Sequence, residues 1–240
     1  MVAPVLGEWA MASQRGYGQF CPVAMATEVL GTRWTILVLR ELICGSTRFN
    51  ELRRGVPRMS PALLSKRLTE LEAHGLISRS RGADRGTPVY RLTQAGEELR
   101  PVIMSLGSWG QRWLESQLSL RNLDPSLLMW DMRRNLDPSP LPDRRTVISF
   151  LYPELAGGRR HWWLVVEPFG AVDLCSTDPG YDVDLWVTTN LRTMTEIWMG
   201  LARVEQVRDK IQFEGDPAMA STMQTWLGLS PFSSQSKLVH

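Results

Sequence analysis

Residues 60–77 read SPALLSKRLTELEAHGLI, a stretch with a marked beginning and a marked end. Ser60 is suited to capping the free N–H groups of a first helical turn, and Pro61 suits the first helical position because no N–H is needed there. Gly75 favours the left-handed conformation that ends a helix. The sequence therefore predicts a helix that begins after Ser60 and ends near Gly75.

The two faces of this helix differ in chemistry. Leu64, Leu68 and Leu71 follow the spacing i, i+4, i+7 and form one apolar stripe. The opposite face is small, polar and partly basic, with Ala62, Lys66, Thr69 and Glu70 at its centre and Ser65 and Arg67 on its flanks. Such a face is either solvated or in contact with a partner, and the helix alone does not decide between the two.

The charge of the chain is distributed unevenly. The 240 residues carry a formal net charge of +2, but residues 1–118 have a net charge of +5 and residues 119–240 a net charge of −3. The excess is concentrated between Arg48 and Arg91, where 10 basic and 4 acidic side chains give +6. This distribution favours a polyanionic partner for the first half and disfavours one for the second.

Length and composition indicate a protein with two domains and free thiols. A chain of 240 residues is long for one compact domain, and its hydrophobic fraction of 43% is ordinary for a soluble protein. No apolar run approaches the roughly 20 residues of a membrane span, and MVAPVLGEWAMASQRG lacks the positive start of a signal peptide. Cys21, Cys44 and Cys175 are too few and too scattered for a disulfide framework. We expect a cytoplasmic protein with no membrane partner.

The segments around the helix predict a winged helix-turn-helix. Residues 22–30 and 33–43 have helical apolar spacing, and a shorter helix is expected near 48–54. After Gly75, the alternating runs LISRSR and VYRLT flank the turn-rich GADRGTP, which predicts a β-hairpin with a loop of about five to seven residues. Thr93 then caps another helix, broadly 94–118.

This arrangement suits double-stranded DNA. A helix fits the major groove, where short polar side chains reach base edges, and arginines at a hairpin tip reach phosphates or the minor groove. The residues predicted to contact DNA are Ser60, Ser65, Lys66, Arg67 and Thr69 on the helix, with Arg79, Arg81 and Arg85 on the hairpin.

The region from Cys21 to about Leu118 also carries an ordered set of motifs. They are Cys21-Pro22, Gly31-x-Arg33-Trp34, Arg48-Phe49-x-Glu51-Leu52, Leu64-Ser65-x-Arg67-Leu68-x-x-Leu71, Gly75-Leu76-Ile77 and Tyr90-x-Leu92-Thr93-x-x-Gly96. With these motifs the region resembles the HxlR-type bacterial transcriptional regulators. The resemblance implies a homodimeric winged-helix protein that dimerises through the segment near Cys21 and the helix 94–118. A homodimer is expected to bind a pseudo-palindromic operator.

Two features of this region remain open. Trp109 and Trp113, four residues apart, belong either to the dimer contact or to an intramolecular core. Some HxlR-type proteins sense oxidants or electrophiles through an N-terminal cysteine, and Cys21 matches that position. A place just before a helix lowers the pKa of a thiol, but a lone cysteine is commonly a small buried apolar residue. Cys44 is expected to be structural and Cys175 to lie on a strand.

The second half reads as strands followed by helices. Asp124 and Pro125 begin a helix, and Pro138, Pro140 and Pro142 punctuate a non-helical stretch. The runs TVISFLY, HWWLVVE, AVDLCST and VDLWVTT predict an antiparallel meander. Three helical segments follow, namely LRTMTEIWMGL, about 203–210, and DPAMASTMQTWLGL, with the short extended IQFEG between the last two. The predicted class is α+β, with the helices on one face of the sheet.

Residues 146–232 are similar to the sterol-carrier-protein fold. The supporting residues are the strand 185–188, the helix with Trp198 and Gly200, Ile211-x-Phe213-x-Gly215-Asp216 and Trp226-Leu227-Gly228-Leu229. The resemblance implies a sheet with covering helices and often an apolar tunnel. The side chains predicted to bind an apolar effector are Trp186, Met194, Trp198, Met199, Met223 and Trp226. The same residue types also fill irregular cores.

The expected organisation is a winged helix-turn-helix domain followed by a sheet-plus-helices domain. The segments are an N-terminal arm (1–20), a DNA-binding and dimerisation domain (21–118), a linker with a helix (119–145), a sterol-carrier-like domain (146–232) and a tail (233–240). His74, His161 and His240 lie in unrelated contexts, and the sequence has no zinc, phosphate-loop, dinucleotide or nucleophile-elbow motif. We therefore expect no enzyme, no metal and no cofactor.

Three functions follow from this sequence. The leading one is a homodimeric DNA-binding transcriptional regulator whose affinity is modulated by an apolar ligand in the second domain. One alternative is a small-molecule or lipid-binding protein whose helical half is only a dimerisation module. The other is a thiol-based redox-sensing regulator that acts through Cys21.

Overall fold

The computed structural model of this chain describes residues 16–82, 86–115, 120, 123–168 and 170–239, which form two compact units divided between Arg100 and Pro101. The first unit is helical with a two-stranded ribbon, and the second is built on a five-stranded sheet. The α+β class is as predicted. In the described part of the chain, no helix combines the length and the apolar character that crossing a membrane requires.

The first unit has the order of a winged helix-turn-helix. Its helices are α1 (Pro22–Leu30), α2 (Thr35–Ile43), α3 (Phe49–Gly55), α4 (Pro61–Ala73) and α5 (Gln94–Glu98). Between α4 and α5 lie the strands β1 (Ile77–Arg81) and β2 (Pro88–Leu92), which pair antiparallel with Ile77 opposite Leu92. Six residues, 82–87, separate the strands, within the predicted loop length.

Helix α4 begins and ends as its sequence predicts. The N–H of Leu63 donates to Oγ of Ser60 at 3.3 Å, and Pro61 occupies the first turn. Leu64, Leu68 and Leu71 are all buried. Gly75 adopts a φ of 68°, which a residue with a Cβ rarely does.

The prediction of a single helix over 94–118 was wrong. α5 ends at Glu98, and a separate helix, α6, spans Arg100–Trp113. Because Pro101 has no N–H to donate to the carbonyl of Glu97, the helical ladder is interrupted at Leu99. Residues 116–118 lie outside the described residues.

The cap of α5 was predicted correctly and also anchors the ribbon. The N–H of Gly96 donates to Oγ1 of Thr93 at 3.2 Å, and the Thr93 hydroxyl donates to the carbonyl of Gly75 at 2.6 Å. A Cβ on Gly96 would lie 2.1 Å from the carbonyl oxygen of Leu76. The glycine of this motif is therefore required because α5 approaches the backbone that leads from α4 into β1.

The second unit contains a five-stranded sheet and short helices. The strands are β3 (Thr146–Leu151), β4 (His161–Val166), β5 (Val172–Cys175), β6 (Leu185–Thr188) and β7 (Gln212–Gly215), in the order β5-β4-β3-β6-β7. The helices after α6 are α7 (Pro125–Asn135), α8 (Leu191–Trp198), α9 (Pro217–Ser221) and α10 (Met223–Trp226), with 3₁₀ segments Gly157–Arg159 and Val204–Lys210.

The sheet is mixed, so the predicted antiparallel meander was only partly correct. β3, β4 and β5 are antiparallel neighbours, but β6 pairs parallel with the other side of β3, with Ile148 opposite Leu185. Nine residues, 176–184, connect β5 to β6. This connection is too long for a tight hairpin and carries the chain across β4 and β3.

One face of the sheet packs against the helices. Ile148, Phe150, Leu164, Leu185 and Val187 alternate along the strands toward a core that also contains buried residues of α7, α8, α9 and α10. The opposite face has a smaller buried cluster of Val147, Trp163 and Val165, against which Val183 of the 176–184 connection packs. The helices therefore cover one face, as expected for this class.

Residues expected in the linker belong to the core of the second unit. The N–H groups of Ser126 and Leu127 donate to Oδ1 of Asp124, which caps α7 as predicted. Met129 and Met132 of α7 are fully buried in the sheet–helix core. Because α7 has an apolar stripe to bury, it joins a core instead of spanning the space between domains.

Helix α6 is also held in the second unit. The Phe232 ring packs so closely on Gly107 that a Cβ there would lie 2.3 Å from the ring's Cζ atom. Nε2 of Gln111 donates to the carbonyl of Met199 at 3.2 Å, and the N–H of Leu238 donates to the carbonyl of Arg112 at 2.9 Å. α6 thus packs with the segment after α10, although the sequence assigned it to the first domain.

Candidate nucleic-acid interface

The outward face of α4 carries the polar side chains that the sequence singled out. Ser65, Lys66 and Thr69 are exposed, and the Thr69 hydroxyl donates to the carbonyl of Ser65 at 3.2 Å. Lys66 forms no hydrogen bond or ion pair within the described residues. Ser60, also exposed, uses its hydroxyl oxygen to cap the helix. These side chains form a small polar surface with one free cation.

Arg67, also predicted to contact DNA, points into the protein. Its Nε donates to the carbonyl of Arg33 at 3.2 Å, its Nη1 pairs with Glu70, and its side chain is only 12% exposed. A guanidinium engaged in this way is not available to a phosphate. Arg67 therefore ties α4 to the turn before α2, and its place among the contact residues is not supported.

The turn that receives Arg67 has an unusual backbone. Trp34 has a positive φ of 79°. Every other non-glycine residue in the described ranges has a negative φ. Trp34 lies at the N-terminus of α2, and the guanidinium of Arg33 lies 5.3 Å from its ring centroid. Two of the sequence motifs therefore meet in the structure. Arg67, from the motif on α4, hydrogen-bonds to Arg33 of the Gly31-x-Arg33-Trp34 motif. Sequence spacing gave no signal for this pairing.

The ribbon presents arginines on both of its sides. In β1, Ile77 is buried and the residues after it are exposed. Arg79 and Arg81 project from the same side of the ribbon because they are two residues apart. Arg91, which the sequence reading left out, lies on the other side, where its Nη1 donates to Oγ of Ser80 at 3.3 Å. Arg85 lies outside the described residues.

Further exposed arginines lie in the last turn of α3 and in the segment that leads from α3 to α4. Arg53, Arg54 and Arg58 are all exposed and belong to the segment with a net charge of +6. Sequence reasoning counted them in the charge but did not assign them to the site. A cleft of about 610 Å³ separates the end of α4 from the ribbon and is lined by Glu72, Arg79, Ser80, Arg81, Gly86 and Pro88.

Cys21 is exposed at the N-terminus of α1, so it is not the small buried residue of the alternative reading. The backbone amide of Ala24, and then that of Val23, lowers the pKa of the Cys21 thiol. Cys44, expected to be structural, is exposed at the end of α2. Cys175 ends β5, as predicted.

Two helices expose apolar side chains. α1 has no buried residue, and its Val23 and Met25 are exposed. On α6, Val102, Leu106, Trp109 and Trp113 are exposed and form one stripe, with Trp109 54% and Trp113 48% exposed. The tryptophans therefore lie on the surface of α6 instead of in an intramolecular core.

The residues predicted to bind an effector do not converge. Met194, Met223 and Trp226 are fully buried in the sheet–helix core, and Trp198 packs against it. Met199 is half-buried at the end of α8. Trp186 is 38% exposed on the opposite face of the sheet, since its neighbours Leu185 and Val187 face the core. Among the residues described here, His, Cys, Asp and Glu form no cluster of three that could hold a metal ion.

Comparison with known proteins gives matches that each cover about two fifths of the chain. The model of the HxlR-like helix-turn-helix family matches residues 29–118. The chain is 38% identical over 101 residues to the uncharacterised HTH-type transcriptional regulator sll1512 of Synechocystis sp., covering 42% of this chain and 75% of that protein. It is 35% identical over 101 residues to the uncharacterised HTH-type transcriptional regulator YvaP of Bacillus subtilis, covering 40% and 92%. The reduced form of the transcriptional regulator YodB from B. subtilis is 30% identical with a TM-score of 0.35, covering 39% and 93%.

Replacing Arg67 with alanine is expected to lower the free energy of unfolding by about 1–2 kcal/mol, because the carbonyl of Arg33 loses its donor. The matched control is Lys66→Ala, which removes an exposed side chain and is expected to change stability by less than about 0.5 kcal/mol. Urea unfolding followed by circular dichroism measures both. Equal stability of the two variants would contradict the structural role of Arg67.

Proposed function

The chain belongs to the HxlR-like helix-turn-helix family of non-enzymatic transcriptional regulators, and on that premise we propose that it binds double-stranded DNA as a homodimer through α4 and the β1–β2 ribbon. The observation that carries the proposal is the outward face of α4, with Ser65, Lys66 and Thr69, next to exposed arginines on the ribbon. A local net charge of +6 supplies the attraction to a polyanion.

In this proposal α4 lies in the major groove. Lys66 donates to guanine O6 or N7, and Thr69 and Ser65 contact base edges or phosphates. Ser60 sits at the N-terminus of α4, where a helix favours a phosphate. Arg79 and Arg81 hold the ribbon on the DNA backbone or in the minor groove. Arg85, which lies outside the described residues, is proposed to contact DNA as well. Arg67 acts indirectly by fixing the position of α4.

Replacing Arg81 with alanine is expected to weaken binding to all sequences and to reduce the salt slope by about one, because a phosphate contact is lost. Lys66→Ala or Thr69→Ala is expected to change the preferred sequence instead. Selection from random-sequence duplexes at two salt concentrations measures both effects. Arg192→Ala, which changes an exposed arginine of α8, is the matched control. An Arg81→Ala protein with unchanged affinity and salt slope would refute the ribbon assignment.

The exposed apolar residues of α1 and α6 support a homodimer. α1 has no buried residue, and the stripe on α6 has two half-exposed tryptophans. Exposing such apolar surface to water is unfavourable for a monomer. We propose that a second copy covers both surfaces. Two copies would read a pseudo-palindrome with half-sites about one helical turn apart.

The double variant Trp109→Ser, Trp113→Ser is expected to raise the dimer dissociation constant at least about 100-fold, because buried tryptophans contribute strongly to interfaces. Sedimentation velocity over a concentration series measures this change. Trp186→Ser removes an exposed tryptophan outside the stripe and is expected to leave the dimer intact. If the double variant dimerises as tightly as the wild type, the α6 interface is wrong.

We propose that the second unit is an effector domain that acts on DNA binding through α6. Its mixed sheet with helices on one face agrees in outline with the sterol-carrier resemblance. α6 carries the exposed stripe and also packs on Phe232 and hydrogen-bonds to Leu238, so a ligand that shifts the second unit shifts the dimer helix. Typical couplings of this kind are about 1–3 kcal/mol. If the helical half were only a dimerisation module, the duplex selection would yield no enriched sequence.

A second candidate function is thiol sensing through Cys21, which the exposed thiol and its lowered pKa favour. A lowered pKa means that the thiolate forms at lower pH. In a Cys44→Ser, Cys175→Ser background, the iodoacetamide reaction is expected to reach half its maximal rate at a lower pH than the reaction of an unstructured cysteine peptide measured beside it. A midpoint at or above that of the peptide would remove the support for sensing.

A further inference from the structure

Helix α2 carries a charged side chain into the interior of the first unit. Among the residues that the structure describes, Glu41 is the one acidic or basic residue that is buried, with 0% of its surface exposed. A buried carboxylate costs free energy unless hydrogen bonds and an opposite charge compensate for the water it has lost. An apolar side chain would pack at this position without that cost. The contacts of the carboxylate therefore decide what Glu41 does.

Glu41 contacts the chain on both sides of α3. Ahead of α3, the Ser46 hydroxyl donates to Oε2 of Glu41 at 3.3 Å, and the Ser46 N–H donates to the backbone carbonyl of Glu41 at 3.0 Å. At the other end, Gly55 is buried and is the last residue of α3. A Cβ on Gly55 would lie 1.8 Å from Cδ of Glu41. The carboxylate therefore lies directly against the backbone at the end of α3, where only a glycine leaves room for it.

Arg40 completes the contact between α2 and α3. Nη2 of Arg40 pairs with Oε1 of Glu41 and also donates to the carbonyl of Gly55 at 3.0 Å. Carbonyl groups in the last turn of a helix have no partner within that helix, so the guanidinium satisfies one of them. Two adjacent residues of α2 thus hold Gly55 through its Cα and through its carbonyl. We call Arg40, Glu41 and Gly55 the α2–α3 clasp.

The position of Gly55 affects where α4 begins. Residues 56–60 join α3 to α4, and within them Val56 and Met59 are buried. The Met59 N–H also donates to the carbonyl of Val56 at 2.9 Å. Because this connection is short and closely packed, a shift of Gly55 reaches Ser60, the N-cap of α4. In a helix-turn-helix protein, the N-terminal part of the recognition helix contacts base edges. The clasp therefore acts on the end of α4 that reads bases in the proposed complex.

We propose that Glu41 is a positioning residue for sequence recognition, which fixes the N-terminal end of α4 through its contact with Gly55. Arg67 holds α4 further along through the carbonyl of Arg33, so α2 holds the recognition helix at two points. This role rests on the DNA binding proposed above. Without the clasp the base-reading end of α4 loses its fixed position, whereas the basic side chains still attract phosphates. Specific binding therefore falls and non-specific binding is retained.

The test compares the affinity of the full chain for the duplex that the wild type selects with its affinity for a scrambled duplex of the same composition. Glu41→Ala is expected to lower the ratio of these affinities about tenfold or more, because a displaced helix end loses base contacts. Glu41→Gln keeps the shape and an acceptor oxygen, so its ratio is expected to stay within about threefold of the wild type. The matched control is Glu97→Ala, which removes the same charge from an exposed site on α5 and is expected to leave the ratio unchanged.

A substitution on the other side of the contact tests its geometry. Gly55→Ala places a methyl group where the carboxylate lies and is expected to lower the ratio about tenfold as well. The double variant Glu41→Ala, Gly55→Ala is expected to be no worse than Glu41→Ala alone, because the methyl group then enters the space that the carboxylate leaves. Losses that multiply to about 100-fold would show that the two residues act independently and would overturn the proposal.

Amide hydrogen exchange without DNA separates positioning from a general loss of stability. In Glu41→Ala, the amides of Val56 and Met59 are expected to exchange at least about tenfold faster than in the wild type. The amide of Thr93, which donates to the carbonyl of Leu76, is expected to exchange as before. Uniformly faster exchange in the first unit, an equal fall of specific and non-specific binding, or a Glu41→Gln protein as defective as Glu41→Ala would overturn the proposal. If the wild type selects no sequence, DNA binding itself is wrong, and the exchange rates still show whether Glu41 holds this turn.

Discussion

Burial of Leu64, Leu68 and Leu71 fixes the rotation of α4 about its own axis, and the rest of the first unit depends on that rotation. Once this stripe faces the core, the periodicity of a helix turns Ser65, Lys66 and Thr69 outward. The same constraint brings Arg67 to the edge of the buried side, where it reaches the carbonyl of Arg33. The surface offered to DNA is therefore a consequence of core packing, and a single hydrogen bond from Arg67 connects it to the turn before α2.

The sequence predicted those features whose causes are local. Ser60, Thr93, Asp124 and Gly75 act within one helical turn of their own position, and each cap was found where it was expected. The break between α5 and α6 also has a local cause, which is the missing N–H of Pro101. A proline at position 101 is by itself a signal for two helices instead of one.

The remaining errors involve partners that are distant in the chain. The parallel pairing of β6 with β3 depends on where a nine-residue connection leads, which strand patterns do not encode. Arg67 looked like a surface residue because its acceptor lies 34 positions earlier. The alternation along β6 already predicts that Trp186 faces away from the core, because its neighbours Leu185 and Val187 are both apolar. Trp186 is thereby placed on the sheet face opposite the other residues predicted to bind an effector. Which residues lie beside Trp186 could not be predicted without the strand order.

The position of α6 has a consequence for how the two proposed activities are connected. Its attachments include Phe232 and Leu238, which follow the sheet in the chain, and the carbonyl of Met199, which lies between β6 and β7. Coupling between a ligand and the dimer therefore does not have to pass through the residues that join α6 to α7. The glycine at position 107 lets the Phe232 ring approach the helix backbone, and any side chain there would push the two apart. A close contact of this kind transmits small displacements, because packed side chains have little free volume in which to absorb them. A change in the sheet can thus reach the exposed stripe of α6 through close packing, and that stripe is the surface that the proposed dimer would bury.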